Sequence, residues 1–72
     1  MENNFFLTKF TTRLKELRKE LSLSQSELAK KLNVPASTYA NWEQGRREPS
    51  IYDIYNIILC LNITANDLFD ID

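Results

Sequence analysis

The sequence predicts an all-α fold, a compact domain of five short helices. Apolar residues recur at spacings of three and four along several segments, and no segment alternates apolar and polar residues over a useful length. Residues that start and end helices separate these segments at short intervals. A chain of 72 residues has room for one modest core, so we expect a single domain over residues 1–72.

The first helix is predicted over about residues 7–21. One face of this segment carries a stripe of large apolar residues, and charged residues fill the other faces. The stripe consists of Phe6, Phe10, Leu14, Leu17 and Leu21.

The second helix begins at a capping box. The Ser24 hydroxyl can accept from the Glu27 backbone N–H, while the Glu27 carboxylate can accept from the Ser24 N–H. Asn33 is the predicted end of this helix, because asparagine tolerates the left-handed conformation better than any residue except glycine. The inward-facing residues are expected to be Leu28, Ala29 and Leu32.

The third helix is predicted over residues 36–44. Pro35 cannot continue a helix but can precede the first turn of one, and Gly45 follows as the C-terminal cap. Tyr39 and Trp42 lie on the side expected to face the core.

The fourth helix begins at Ser50, with Asp53 as the acidic member of a second capping box, and Thr64 with Asp67 repeats the pattern before a short fifth helix. The inward stripe of the fourth helix is predicted to be Ile51, Ile54, Tyr55, Ile58 and Leu61.

The fourth helix has more apolar residues than one buried stripe needs. A candidate dimer surface therefore consists of Tyr52, Ile54, Ile57, Ile58 and Leu61, although these residues could equally close the core over the fifth helix.

The composition excludes several classes of site. The chain has no His and one Cys, Cys60, so zinc clusters, Cys-His nucleophilic sites and an intrachain disulfide are excluded. There is no Gly-rich phosphate loop either, so we expect no enzyme, metal, cofactor or small-molecule ligand. The longest apolar run is far shorter than a membrane span, and a single free thiol suits the cytoplasm, which is the expected location.

Charge is distributed unevenly along the chain. Residues 1–47 contain all nine Lys and Arg residues and five acidic ones, which leaves +4, whereas residues 48–72 contain five acids and no base. The basic part is suited to face phosphate groups, and the acidic part is not.

The two helices joined by residues 33–35 indicate a helix-turn-helix, about residues 24–45, whose second helix can enter the DNA major groove. The candidate base-reading residues are Ala36, Ser37, Thr38, Ala40 and Asn41. Asn41 can pair with adenine through two hydrogen bonds, and an alanine can contact a thymine methyl group. The candidate phosphate-binding residues are Gln25, at the start of the second helix, and the pair Arg46 and Arg47. The alternative is that Ser37, Thr38 and Asn41 are ordinary solvent-facing helix residues and that the two arginines belong to a solvated turn.

Residues 23–45, which read LSQSELAKKLNVPASTYANWEQG, resemble the helix-turn-helix of the phage repressor and Cro family, the lambda-repressor-like DNA-binding domains. The resemblance extends over about residues 10–69. It implies that Gln25 and the two arginines contact phosphate, that Ala36, Ser37 and Asn41 lie at base-reading positions, and that Arg18 and Glu43 form a structural ion pair. Two positions depart from the family pattern: Asn33 replaces the usual Gly, and Pro35 replaces a capping Ser or Thr.

The predicted function is a sequence-specific regulator of transcription, most simply a repressor, which binds double-stranded DNA as a homodimer. A dimer is expected because one recognition helix reads only a few base pairs. The alternative is a protein-interaction module with the same fold, such as an antitoxin subunit, for which the acidic C-terminal part would be the binding surface.

Overall fold

The computed structural model describes residues 5–69, with the side chain of Phe5 excepted, and the predicted all-α fold is confirmed there. Five helices follow one another: α1 (Phe5–Glu20), α2 (Gln25–Leu32), α3 (Ala36–Glu43), α4 (Ile51–Leu61) and α5 (Ala65–Phe69). They agree with the predicted elements to within one or two residues at each end. α2 packs against α3 and α4, and α1 packs against α3 and α5.

Capping boxes start three of the helices, as predicted. The Ser24 hydroxyl accepts from the Glu27 N–H at 3.0 Å, and the Glu27 carboxylate accepts from the Ser24 N–H at 2.8 Å. Ser50 with Asp53 and Thr64 with Asp67 form the same reciprocal pairs before α4 and α5. Each box satisfies backbone donors that a helix leaves without an internal partner.

Four helices end in one and the same backbone motif, in which a residue with positive φ closes the last turn through two hydrogen bonds. The closing residues of α1 to α4 are Ser22, Asn33, Gly45 and Asn62, with φ of 59°, 61°, 74° and 54°. This is the Schellman arrangement, which satisfies carbonyl groups at a helix end. The sequence predicted Asn33 and Gly45 in this role, and it missed Ser22 and Asn62.

The core joins all five helices and has the helix-turn-helix at its centre. Tyr39 and Trp42 are buried on the inner side of α3, as predicted, and their rings meet edge to face with centroids 6.0 Å apart. Phe10 of α1 makes a similar contact with Trp42 at 6.3 Å. The other buried apolar residues are Leu14, Leu17, Leu28, Ala29, Leu32, Ile57 and Leu68.

The predicted orientation of α4 is wrong at three positions. Ile57, assigned to the candidate dimer surface, is fully buried, whereas Ile51 and Tyr55, assigned to the inward stripe, are 79% and 63% exposed. Residues three and four positions from Ile57 share its face, so Ile54 and Leu61 pack against the core beside it. Ile58, the next residue along the chain, is also partly buried against the core. α4 is apolar on nearly every side, so the sequence periodicity alone could not select the buried face. The outward face consists of Ile51, Tyr52, Tyr55 and Leu59.

Within residues 5–69, no helix combines the length and hydropathy that crossing a bilayer requires. The same part of the chain contains no cluster of three or more His, Cys, Asp or Glu residues that could hold a metal ion.

Candidate nucleic-acid interface

The turn between α2 and α3 fixes the relative position of the two helices. Asn33 adopts the left-handed conformation, and the Val34 N–H donates to the Ala29 carbonyl at 3.0 Å. The Val34 side chain packs against the core, so apolar contacts as well as hydrogen bonds hold the turn in place. Pro35 then starts α3 from an extended conformation, with φ of −60° and ψ of 145°.

α3 has one buried face and one accessible face. Tyr39, Trp42 and Glu43 are buried and form the inner face of the helix. The five predicted base-reading residues are accessible to solvent. Ala36 and Ser37 are exposed, while Thr38, Ala40 and Asn41 are half-buried. The face of α3 that carries these five residues is therefore open to solvent.

The first turn of α3 has no side-chain cap. Pro35 makes no capping hydrogen bond, in agreement with the departure from the family pattern. The first N–H groups of a helix have no internal partner, and they favour a negatively charged group nearby.

Glu43, the last residue of α3, is the centre of a buried polar cluster. Its carboxylate accepts from Arg18 Nε at 2.7 Å and from Arg18 Nη2 at 3.3 Å, and it also accepts from Gln25 Nε2 at 2.9 Å and from the Tyr39 hydroxyl. Arg18 Nη1 donates to the Leu23 carbonyl at 2.9 Å. The predicted pair of Arg18 and Glu43 is thus present, and it ties α1, α2 and α3 together.

The cluster shifts the pKa values of its members. Burial opposes ionisation of Glu43, but the hydrogen bonds from Arg18, Tyr39 and Gln25 outweigh burial and hold its pKa below the usual value. Burial and the adjacent Glu43 carboxylate raise the pKa of the Tyr39 hydroxyl. The hydrogen bond to Glu43 raises the pKa of Arg18 against the effect of burial. All three groups therefore keep their usual charge at neutral pH.

Gln25 lies at the start of α2, as predicted, but its side-chain amide already makes one hydrogen bond within the protein. One amide hydrogen is donated to Glu43, which leaves the second amide hydrogen and the carbonyl oxygen for another partner. Sequence reasoning missed this bond and the one from Tyr39. The spacing of Tyr39 and Glu43, four residues apart on one helix face, was the signal that could have indicated the second.

The turn after α3 carries the two predicted phosphate-binding arginines. Gly45 has a φ of 74°, a conformation that L residues rarely adopt, and it closes α3 as predicted. Arg46 and Arg47 follow it and are exposed. No carboxylate of the described residues forms an ion pair with either arginine.

Comparison with known proteins identifies the family. A family model described as "Helix-turn-helix" matches residues 14–68. An uncharacterized HTH-type transcriptional regulator of Archaeoglobus fulgidus is 38% identical over 61 residues, which cover 85% of this chain and 87% of that protein. Control protein C.MunI of a Mycoplasma species is 36% identical over 62 residues, covering 85% of this chain and 84% of the relative.

A solved structure is also similar. The restriction-modification controller protein C.AhdI from Aeromonas hydrophila superposes with a TM-score of 0.80 at 36% identity, covering 88% of this chain and 96% of that one. The resemblance drawn from residues 10–69 is therefore confirmed. The chain belongs to the helix-turn-helix family.

Proposed function

We propose that this protein is a sequence-specific transcriptional regulator that reads the major groove of double-stranded DNA with the accessible face of α3. The observation that carries the proposal is the division of α3 into two faces. One face is held in the domain by Tyr39, Trp42 and Glu43, while Ala36 and Ser37 are exposed and Asn41 is half-buried. A helix held along one face can present small and amide-bearing side chains to base edges at a defined angle.

Candidate phosphate-binding groups on both sides of α3 support this proposal. The exposed pair Arg46 and Arg47 follows the helix, and the start of α2 offers unpaired backbone N–H groups beside Gln25. The net charge of residues 1–47 is +4, from nine basic and five acidic residues, so the part of the chain that contains α3 attracts a polyanion.

We further propose that the protein acts as a homodimer through the outward face of α4. Two recognition helices about 34 Å apart can read two half-sites one helical turn apart. Ile51, Tyr52, Tyr55 and Leu59 are between 60% and 81% exposed, and together they form an apolar face that a second copy can cover symmetrically. This face replaces the predicted set that included Ile57.

Repression is the simplest mode of action, because a dimer bound over a promoter excludes the polymerase without any further domain. The names of two relatives support a narrower proposal. C.MunI is named a control protein and C.AhdI a restriction-modification controller, so the genes of a restriction-modification system are candidate targets of this protein. A reporter fused to the DNA upstream of its own gene tests the mode of action, since a repressor lowers the signal and an activator raises it.

The alternative function is a protein-interaction module such as an antitoxin subunit. In that case the acidic segment of residues 48–72, which holds five acids and no base, would be the binding surface. The exposed arginines after α3 favour DNA instead, because such a module has no need for them.

Fluorescence anisotropy with labelled duplex tests the main proposal. The probes are DNA from upstream of the protein's own gene and a scrambled duplex of equal composition, each titrated at several salt concentrations. We expect the upstream duplex to bind about 1000-fold more tightly or better, with affinity that falls steeply as salt rises. Absence of binding to either duplex at low salt would overturn the proposal in favour of the protein-interaction module.

A further inference from the structure

A cleft between α1 and the end of α3 lies outside the predicted DNA-contacting residues. Its volume is about 260 Å³. We call it the α1 cleft. The residues that line it are Thr11, Thr12, Lys15, Glu16, Lys19 and Glu43.

Two cations stand at the rim of the α1 cleft. Lys15 and Lys19 are exposed and four residues apart, so they lie one turn apart on the same face of α1. No carboxylate within the described part of the chain forms an ion pair with either lysine. Both ammonium groups are therefore available to an anion that approaches from solvent.

The two carboxylates that line the cleft, Glu43 and Glu16, are already bound by other side chains of the protein. Glu43 accepts from Arg18, Gln25 and Tyr39, and its side chain is 2% exposed. Glu16 is paired with Arg13 at 2.7 Å. The two lysines thus dominate the field at the mouth of the cleft, and an anion there meets little repulsion.

The position of the cleft connects it to the proposed DNA interface. Glu43, at its floor, holds the Gln25 side chain at the start of α2. Thr11, at its wall, lies beside Gly45, where an added Cβ would be 3.9 Å from the threonine methyl group. Arg46 and Arg47 follow directly. The cleft therefore lies between the two segments proposed to hold phosphate groups.

We propose that the α1 cleft binds a phosphate group of the DNA backbone, with Lys15 and Lys19 supplying the charge and the exposed Thr12 hydroxyl available as a donor. The cleft thereby joins the contacts at α2 and at Arg46 and Arg47 into one continuous backbone-binding surface. This proposal rests on the proposed function, because it assumes that the protein binds DNA. Contacts to phosphate position a protein on the duplex without reading its sequence.

A salt titration of the full chain tests the proposal. The variants are Lys15→Gln, Lys19→Gln and the two combined, and the control is Lys31→Gln. Lys31 is also an exposed lysine on a helix, but its backbone carbonyl lies against Cys60 of α4, away from the cleft. Binding is measured by anisotropy on the upstream and scrambled duplexes between 50 and 200 mM salt.

We expect the double variant to lose about 0.9 from the slope of log K against log salt for each bound chain, the value for one phosphate contact. Over that fourfold range of salt, its affinity then falls about 3.5-fold less than that of the unaltered protein. The ratio of affinities for the two duplexes stays unchanged, and Lys31→Gln behaves as the unaltered protein does.

One result would overturn the proposal while leaving DNA binding intact: a double variant with the same slope as Lys31→Gln. Displacement of DNA by inorganic phosphate, at matched ionic strength, from the unaltered protein but not from the double variant would support the proposal, since phosphate and DNA would then compete for the cleft. Failure of the unaltered protein to bind any duplex contradicts the proposed function itself.

Discussion

Arg18 of α1 and Glu43 of α3 form an ion pair through two hydrogen bonds, at 2.7 and 3.3 Å, although they lie 25 positions apart in the chain. Arg18 also holds the Leu23 carbonyl at the turn that leads into α2. The pair therefore sets the angle at which α3 leaves the domain. Its partners Gln25 and Tyr39 extend this control to the start of α2 and to the core.

Breaking this pair should cost stability. Glu43→Gln leaves the Arg18 guanidinium without its buried counter-charge, and we expect a loss of about 3 kcal/mol in the free energy of unfolding. Urea denaturation measures the loss. The matched control is Glu16→Gln, which breaks a pair whose Glu side chain is 53% exposed, and it should cost less than about 0.5 kcal/mol. Equal losses in the two variants would contradict the structural role of Glu43.

The stability of the protein should depend on Glu43 in acid. The pKa of Glu43 is lower in the folded protein than in the unfolded chain. Its contribution is therefore present above the ordinary glutamate pKa of about 4.3 and is lost as the pH falls through the lower folded value. We expect the stability difference between the unaltered protein and Glu43→Gln to be largest near neutral pH and to shrink below about pH 4. A constant difference from pH 7 to pH 3 would refute this assignment.

Asn41 should carry base preference. Asn41→Ala removes the bidentate amide and should cost about 1 to 3 kcal/mol on the preferred duplex, with little loss on scrambled DNA. Asn66→Ala, at an exposed position of α5, provides the control and should leave both affinities unchanged. Anisotropy at one fixed salt concentration suffices for this comparison. Equal losses on both duplexes would show that Asn41 does not read bases.

The end of α1 offers a stabilising substitution. Ser22 holds a φ of 59°, which costs an L residue energy that glycine avoids. Ser22→Gly should raise the free energy of unfolding by about 0.5 to 1 kcal/mol and leave the structure unchanged. The same exchange inside a helix, Ser26→Gly in α2, should lower stability instead. Thermal unfolding checks that the two variants change the stability in opposite directions.

The outward face of α4 should hold the dimer together. Leu59 is 60% exposed, so Leu59→Lys should leave the monomer fold intact and weaken self-association. Leu21→Lys is the control, because Leu21 is 47% exposed at the end of α1. Sedimentation measures the oligomeric state, and circular dichroism checks the fold. The assignment would be refuted if the unaltered protein were a monomer, or if Leu59→Lys left the strength of dimerisation unchanged.

Local signals predicted most of the fold, since each helix is bounded by residues with a specific backbone role. Ser24, Ser50 and Thr64 start helices through their side chains, and Asn33 and Gly45 end them through positive φ. The facing of α4 could not be predicted, because an almost wholly apolar helix has no periodicity to select its inner side. The buried face of α4 is set by the helices that pack against it around Ile57.

The candidate site was predictable in part. The family pattern placed the ion pair of Arg18 and Glu43, and the structure contains it. The bond from Gln25 to Glu43 joins residues on two helices whose distance depends on the whole packing, so no local pattern indicates it. The α1 cleft escaped prediction for the same reason, since Lys15 and Lys19 alone look like an ordinary solvated face.

The one-sided burial of α3 has a consequence for the evolution of this protein. Tyr39, Trp42 and Glu43 hold the helix in the domain, whereas Ala36 and Ser37 are exposed and Asn41 is half-buried. If these three residues read bases as proposed, exchanges among them alter the preferred operator at small cost to stability. A library randomised there, selected for folded and soluble variants before any DNA is added, should retain most side chains. The same scaffold can thus acquire new operators through a few independent mutations.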